Sequence, residues 1–515
     1  MKLNDITLEL KSGRKIVKNL SFTLNDNDKL AIIGEEGNGK STLLKYVYDE
    51  KLIEVYCYYS GVKDISKERI GYLEQSLDNS WNAYGALDYI ITPNVGEEPF
   101  YELYNKLYQI ETLFKTYNLN LSILSENQII ETLSGGEKIK LQFIKILINE
   151  PELILLDEPT NDIDLDTILL LENFIKTTST PIIYVSHDEE LLANTANIIL
   201  HLEQIKRKTE MKFTYLKTDY SSYIDLRSRQ LIRQNKEAYR TRKEKEEKRQ
   251  NLMHQHLLVE NDLDRAVRQP GWGSILAKKM KNIKAMEKKL EKMPVVDYAQ
   301  PEEAIDVFFN PDIKFPNGKI LLELKDFTLT IEDKTLISSI NIKLTGPKHL
   351  CIIGKNGCGK TTLMRHIYQQ LKNRLDIKLG YMPQNYEDEL TIDLTPVAYL
   401  QSFMGYDKEI KSKIMSCLAA MNFQACEMEN KIRDLSGGQK AKFFLIKMIL
   451  LEYNVLLLDE PTRNLSPLSN PVIRDILKEY KGAIIAISHD RKFINEVAEE
   501  IYELNEAGLN LKTLN

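Results

Sequence analysis

Four short motifs occur twice in this chain, in the same order. LAIIGEEGNGKSTLLK at 30–45 returns as LCIIGKNGCGKTTLMR at 350–365, and LSGGEKIKLQFIKILI at 133–148 returns as LSGGQKAKFFLIKMIL at 435–450. LILLDEPT at 153–160 matches VLLLDEPT at 455–462, and IIYVSHDEELL at 182–192 matches IIAISHDRKFI at 484–494. An ordered repeat of this kind constrains the fold more than any single segment, because each copy must build the same core. The last three pairs are offset by 302 positions and the first by 320. Copy one therefore holds 18 extra residues, expected as a surface insertion around 76–130. Short apolar runs alternating with amphipathic segments predict an α/β fold. With 515 residues, the chain divides into a first domain at 1–205, a connector at 206–300 and a second domain at 301–515.

The repeated motifs carry phosphate chemistry. In each glycine loop, an apolar strand-like run leads into an amphipathic helix, which is the context a P-loop requires. Gly34, Gly37, Asn38 and Gly39 precede Lys40, Ser41 and Thr42. Gly354, Asn356, Gly357, Cys358 and Gly359 precede Lys360, Thr361 and Thr362. Glycines let backbone N–H groups turn toward phosphate oxygens, and the helix N-terminus adds a favourable dipole. Lysine then neutralises phosphate charge, and the Ser41 or Thr361 hydroxyl suits Mg²⁺. LILLD and VLLLD read as buried parallel strands ending in an acid, so Asp157 and Asp459 are candidate Mg²⁺ contacts. Glu158 and Glu460 follow them as candidate general bases, and His187 and His489 end the next apolar strand as candidate phosphate contacts. Gln75 and Gln384 are candidate water or Mg²⁺ contacts. An isolated Asp-Glu pair is more often a solvated loop and a lone histidine more often structural. Recurrence at matched spacing favours function.

P-loop, glutamine loop, LSGG, Asp-Glu strand end and histidine, in that order and twice, resemble a tandem pair of ATP-binding-cassette domains. The resemblance implies head-to-tail pairing, with ATP and Mg²⁺ held between the P-loop of one copy and the LSGG helix of the other. Carried onto this chain, the first site combines Lys40, Ser41, Gln75, Asp157, Glu158 and His187 with Ser436, Gly437 and Gly438. The second combines Lys360, Thr361, Gln384, Asp459, Glu460 and His489 with Ser134, Gly135 and Gly136. The family's adenine-stacking aromatic is missing from KSGRKIV and TIEDKTL, so that contact is unassigned.

The connector separates the possible classes. From 227 to 292 it has 19 Lys and Arg against 9 Asp and Glu. The net of +10 stands against −6 for the whole chain, which leaves −16 elsewhere. Residues 220–257 are highly charged and free of Gly and Pro, predicting a long exposed helix. Leu276, Met280, Ile283, Met286, Leu290 and Met293 form a heptad-like seam on a second helix. Pro270, Gly271 and Gly273 mark a turn, with the tip near 258–273 and Arg265, Arg268 and Trp272 upon it. A helix of about 35–40 residues reaches roughly 50–60 Å. A charge run is usually a solvated spacer. The basic bias and aromatic tip suit a polyanion, and unpaired RNA bases in particular. No run of eighteen apolar residues and no signal-like amino terminus is present, which points to a cytoplasmic protein. Five cysteines without a Cys-x-x-Cys pair fit a reducing compartment.

Two cassettes joined by a basic helical hairpin resemble the ABC-F proteins, over essentially the whole chain. That resemblance implies a monomeric ATPase acting on the bacterial 70S ribosome, near the tRNA exit site, with 23S rRNA and peptidyl tRNA as contacts. Within the family, DEPTRNLSPLS at 459–469 looks like the variant in members that protect against lincosamides, streptogramin A and pleuromutilins. Copy one keeps DEPTNDIDLD, with Asp162 where His is usual. The competing reading is a housekeeping translation factor.

Overall fold

The computed structural model describes residues 1–512 except 76, 118, 162, 206–209, 266–270, 300, 302–304, 306 and 332–333. Met1–Tyr220 with Glu302–Asn515 forms one compact unit holding both copies, and Ser221–Pro301 forms another.

Copy one contains β1 (Lys2–Leu10), β2 (Lys15–Thr23), β3 (Lys29–Ile33), β4 (Cys57–Lys63), β5 (Ile70–Leu73), β6 (Leu153–Asp157), β7 (Ile182–Val185), β8 (Ile198–Gln204) and β9 (Glu210–Leu216). Its central sheet has the order β5-β6-β7-β3-β8-β9, and only β9 runs antiparallel. Copy two contains β10 (Ile320–Ile331), β11 (Lys334–Thr345), β12 (His349–Ile353), β13 (Leu379–Met382), β14 (Val455–Asp459), β15 (Ala483–Ile487), β16 (Glu500–Asn505) and β17 (Gly508–Lys512). Its sheet repeats the order as β13-β14-β15-β12-β16-β17. Strands β3, β6, β7, β12, β14 and β15 are buried at every residue, as expected of parallel strands covered on both faces. The order sets the histidine strand between the P-loop strand and the Asp-Glu strand. All three end at one edge of the sheet, where ligands bind in parallel α/β folds.

The extra residues of copy one are not confined to 76–130. Lys40 lies 35 positions before Gln75, whereas Lys360 lies 24 before Gln384. Eleven of the 18 therefore precede the glutamine. They include β4, an edge strand that pairs with β1 and makes a third strand in an antiparallel layer. The corresponding layer of copy two has two strands, β10 and β11. An exposed edge strand buries little, so its sequence, CYYSGVK, lacks the apolar run that would have marked it.

Among the described residues the connector holds two helices, Tyr220–Arg265 and Trp272–Glu291. The first has 46 residues, roughly 70 Å, longer than the expected 35–40 because the charged run holds no breaker. The helices face each other: His256 Nδ1 lies 2.9 Å from Glu287 Oε1. On the second helix Leu276 and Ile283 are buried, but Met286 is 56% exposed. Glu287 takes its place toward the partner helix, because the 4-3 alternation of Leu276, Met280 and Ile283 continues four residues on, at 287 and not at 286. Trp272 is 55% exposed at the start of the second helix. Arg268 and Pro270 lie outside the described residues.

Candidate nucleotide sites at the cassette seam

Each P-loop closes on itself through its lysine. Lys40 Nζ donates to the carbonyls of Gly34 and Glu35 at 2.9 and 3.1 Å. Lys360 Nζ donates to those of Gly354 and Lys355 at 2.8 and 2.9 Å. Gly39 has φ 89°, and a Cβ there would lie 2.3 Å from Ile16 Cγ2. Glycine is thus required both by conformation and by space. Asn38 commits its amide to Leu202 O at 3.0 Å, tying the loop to β8. Cys358 turns its sulfur toward Gly354. Arg14, in the stretch KSGRKIV, donates from Nη2 to Gly37 O at 2.6 Å.

The acids sit where β6 and β14 end. Glu158 and Glu460 adopt φ of 51° and 54°, a left-handed conformation that non-glycine residues rarely take. Each is pinned by its backbone N–H, to Val185 O at 3.0 Å and to Ile487 O at 2.9 Å. Such strain persists only where surrounding structure enforces it, and it is concentrated at functional sites. In copy one, Ser41 Oγ donates to Asp157 Oδ1 at 2.9 Å. Gln75 donates to Glu158 Oε2 at 2.8 Å, and His187 Nε2 lies 3.1 Å from Glu158 Oε1. In copy two, Glu460 Oε1 is 3.8 Å from His489 Nε2.

The two acids differ in their surroundings as well. Burial pushes the Glu158 carboxyl up, but the His187 hydrogen bond and the charges of His187 and Lys40 outweigh it and hold the group at about 2. Burial and the neighbouring Asp459 push Glu460 up to about 8. Burial and Lys360 lower His489 to about 4.

One cavity of about 620 Å³ joins the copies. The P-loop side supplies Lys360, Thr361, Gln384, Asp459, Glu460 and His489, and the other copy supplies Ser134 and Gly135. The volume lies in the ordinary range for a small-molecule ligand. Asp459 Oδ2 is buried there without a hydrogen-bond partner. Together with the Thr361 hydroxyl, that oxygen fits a Mg²⁺ ion, which keeps most of its ligands from water and phosphate.

The LSGG motifs open helices Gly135–Ile148 and Gly437–Leu450 with capping boxes. Ser134 pairs with Glu137 and Ser436 with Gln439, so the residue after LSGG has a structural task. At the other seam Glu36 accepts from the N–H groups of Gly437 and Gly438, and Glu35 accepts from Ser466 Oγ at 2.5 Å and from Ser469 Oγ. Thus the first site also brings its P-loop and the opposite LSGG helix together.

Sequence reasoning missed the charges that close the seam. Arg474 donates to Glu189 at 2.5 Å, and Arg491 lies 2.9 Å from Glu172. At the 302-residue offset, Glu172 matches Arg474, Glu189 matches Arg491 and Glu190 matches Lys492. Copy one is acidic at three seam positions where copy two is basic. Reading the two copies against each other for charge reversal would have found them. Asp162 lies outside the described residues.

A family model described as ABC transporter matches residues 17–161 and 337–463. The Bacillus subtilis protein named putative ATP-binding protein YdiF is 28% identical, over 95% of this chain and 78% of its own. The Buchnera aphidicola ATP-binding protein Uup is 27% identical over 97% and 80%. A crystal structure of an archaeal ribosome recycling factor with a ribosomal stalk protein has a TM-score of 0.58 at 14% identity, covering 98% of this chain and 89% of that one. That likeness is one of fold: tandem cassettes in an α/β architecture. With both copies matched over more than half of its length, this protein belongs to the ABC transporter family.

Proposed function

We propose that the chain is an ABC-F-type ATPase that acts on the bacterial ribosome rather than a transporter subunit. The observation that carries this reading is the basic hairpin unit inserted between two complete cassettes. Its long charged helix and exposed Trp272 suit structured RNA with unpaired bases. Among the described residues no helix is long and apolar enough to cross a membrane. ATP binds head to tail with Mg²⁺ on Ser41, Gln75 and Asp157 in one site and Thr361, Gln384 and Asp459 in the other. Bound Mg²⁺ supplies charge neutralisation of the phosphates. Glu158 and Glu460 orient the attacking water, and His187 and His489 hold the γ-phosphate region.

The finer reading is protection of the peptidyl-transferase centre from lincosamides, streptogramin A and pleuromutilins, with the hairpin entering from the tRNA exit site and promoting drug release. DEPTRNLSPLS supports it through the family resemblance. A specific observation favours the alternative, a translation factor without drug protection. Ser466 bonds Glu35 across the seam, so the rewritten motif has a local reason of its own. Expression in a susceptible bacterium decides between them. Protection is expected as increased growth in lincomycin, tiamulin or virginiamycin M, lost on shortening 262–273 while ATP turnover persists. No shift with any of the three drugs selects the translation factor.

A further inference from the structure

The two composite sites differ at one place that the shared motifs do not explain. Where copy two has Lys355 and Asn356 in its P-loop, copy one has Glu35 and Glu36. Both acids reach across the seam. Glu36 accepts from Gly437 N at 3.1 Å through one carboxylate oxygen and from Gly438 N through the other. These are the first amides of a 14-residue helix, where an anion is favoured by unpaired N–H groups and by the dipole. A Cβ on Gly438 would meet Glu36 Oε2 at 2.7 Å, whereas one on Gly136, its counterpart at the other site, meets nothing within 4 Å. One signature helix is covered by a carboxylate and the other opens onto the cavity.

Glu35 holds this arrangement. Its carboxylate accepts from Ser466, from Ser469 and from Lys442 at 3.0 Å. Ser466 occupies the position of Asp164 in copy one, and an aspartate there would face Glu35 with like charge. The acidic P-loop and the serine-rich loop are therefore matched halves of one contact.

We propose that Glu36 is an affinity-determining residue of the first site, acting as an internal competitor for the terminal phosphate. Nucleotide completes that site only by exchanging its γ-phosphate for the Glu36 carboxylate on the amides of Gly437 and Gly438. The inference rests on the head-to-tail reading above. It makes the second site the tighter one for ATP and leaves ADP, which has no γ-phosphate, indifferent to Glu36.

The test uses the full chain with Mg²⁺-ATP and Mg²⁺-ADP in titration calorimetry. Lys360→Ala isolates the first site and Lys40→Ala the second. Glu36→Asn installs the residue of copy two, and Glu36→Gln serves as a second variant. At the first site either substitution is expected to tighten ATP by about tenfold or more, about 1.4 kcal/mol, with ADP unchanged. Unchanged or weaker ATP binding overturns the proposal. Equal tightening of ATP and ADP also overturns it, since that is general relief of repulsion rather than exchange for the γ-phosphate. Absence of ATP binding at both sites of the unsubstituted chain is a different result, and it overturns the head-to-tail reading itself.

Discussion

Replacing Glu158 and Glu460 together by Gln is expected to lower ATP turnover by about 10²–10⁴-fold while leaving ATP binding in place. Both carboxylates sit at the end of a fully buried strand, in a left-handed backbone conformation imposed by bonds to Val185 O and Ile487 O. Gln keeps the size of the side chain and removes the proton acceptor, so geometry persists while water activation is lost. The nucleotide-closed form then accumulates. Under the proposed function it co-sediments with ribosomes in ATP, and wild type is released after hydrolysis. If the double variant hydrolyses ATP at the wild-type rate, these glutamates are not the bases. If it is inactive yet never co-sediments, the ribosomal reading is wrong.

The second large effect concerns the seam. Arg474 is 2% exposed and Glu189 5% exposed, and they form a bidentate pair. Removing one partner strands a buried charge, which costs about 3–5 kcal/mol. Arg474→Glu is expected to exceed that loss because it sets two carboxylates face to face. Combining it with Glu189→Arg is expected to recover part of the stability, measured by denaturant unfolding as a positive coupling. Recovery stays incomplete because Lys492 lies 3.0 Å from Glu189 and Glu496 lies 2.6 Å from Arg474, and each would then face a like charge. Additive losses would show that the pair does not hold the copies together. The reversal of charge between equivalent positions also has a consequence for pairing: copy one fits copy two, whereas two acidic or two basic faces repel.

Much of the site was legible because its residues are tied to motifs with local requirements. Gly39 needs a positive φ and no Cβ, Ser134 needs a cap partner three residues on, and β6 and β14 need apolar runs that end in acid. Each of these is a short-range demand that spacing alone records. Strand β4 was not legible, because an exposed edge strand can be built from many sequences. Met286 is not a seam position, because the 4-3 alternation set by Leu276, Met280 and Ile283 falls on Glu287, a polar residue that an apolar pattern passes over.

Periodicity, spacing and composition establish the duplication, the α/β class, the order of the motifs and the basic connector. The contacts across the seam are set instead by how the folded copies pack. Glu35 and Ser466 are 431 positions apart, and Glu36 and Gly438 are 402 apart. Pairings at such distances depend on how two folded surfaces come together, and a one-dimensional pattern carries no direct record of them. For that reason DEPTRNLSPLS reads as an altered motif in the sequence and as the partner of an acidic P-loop in the structure.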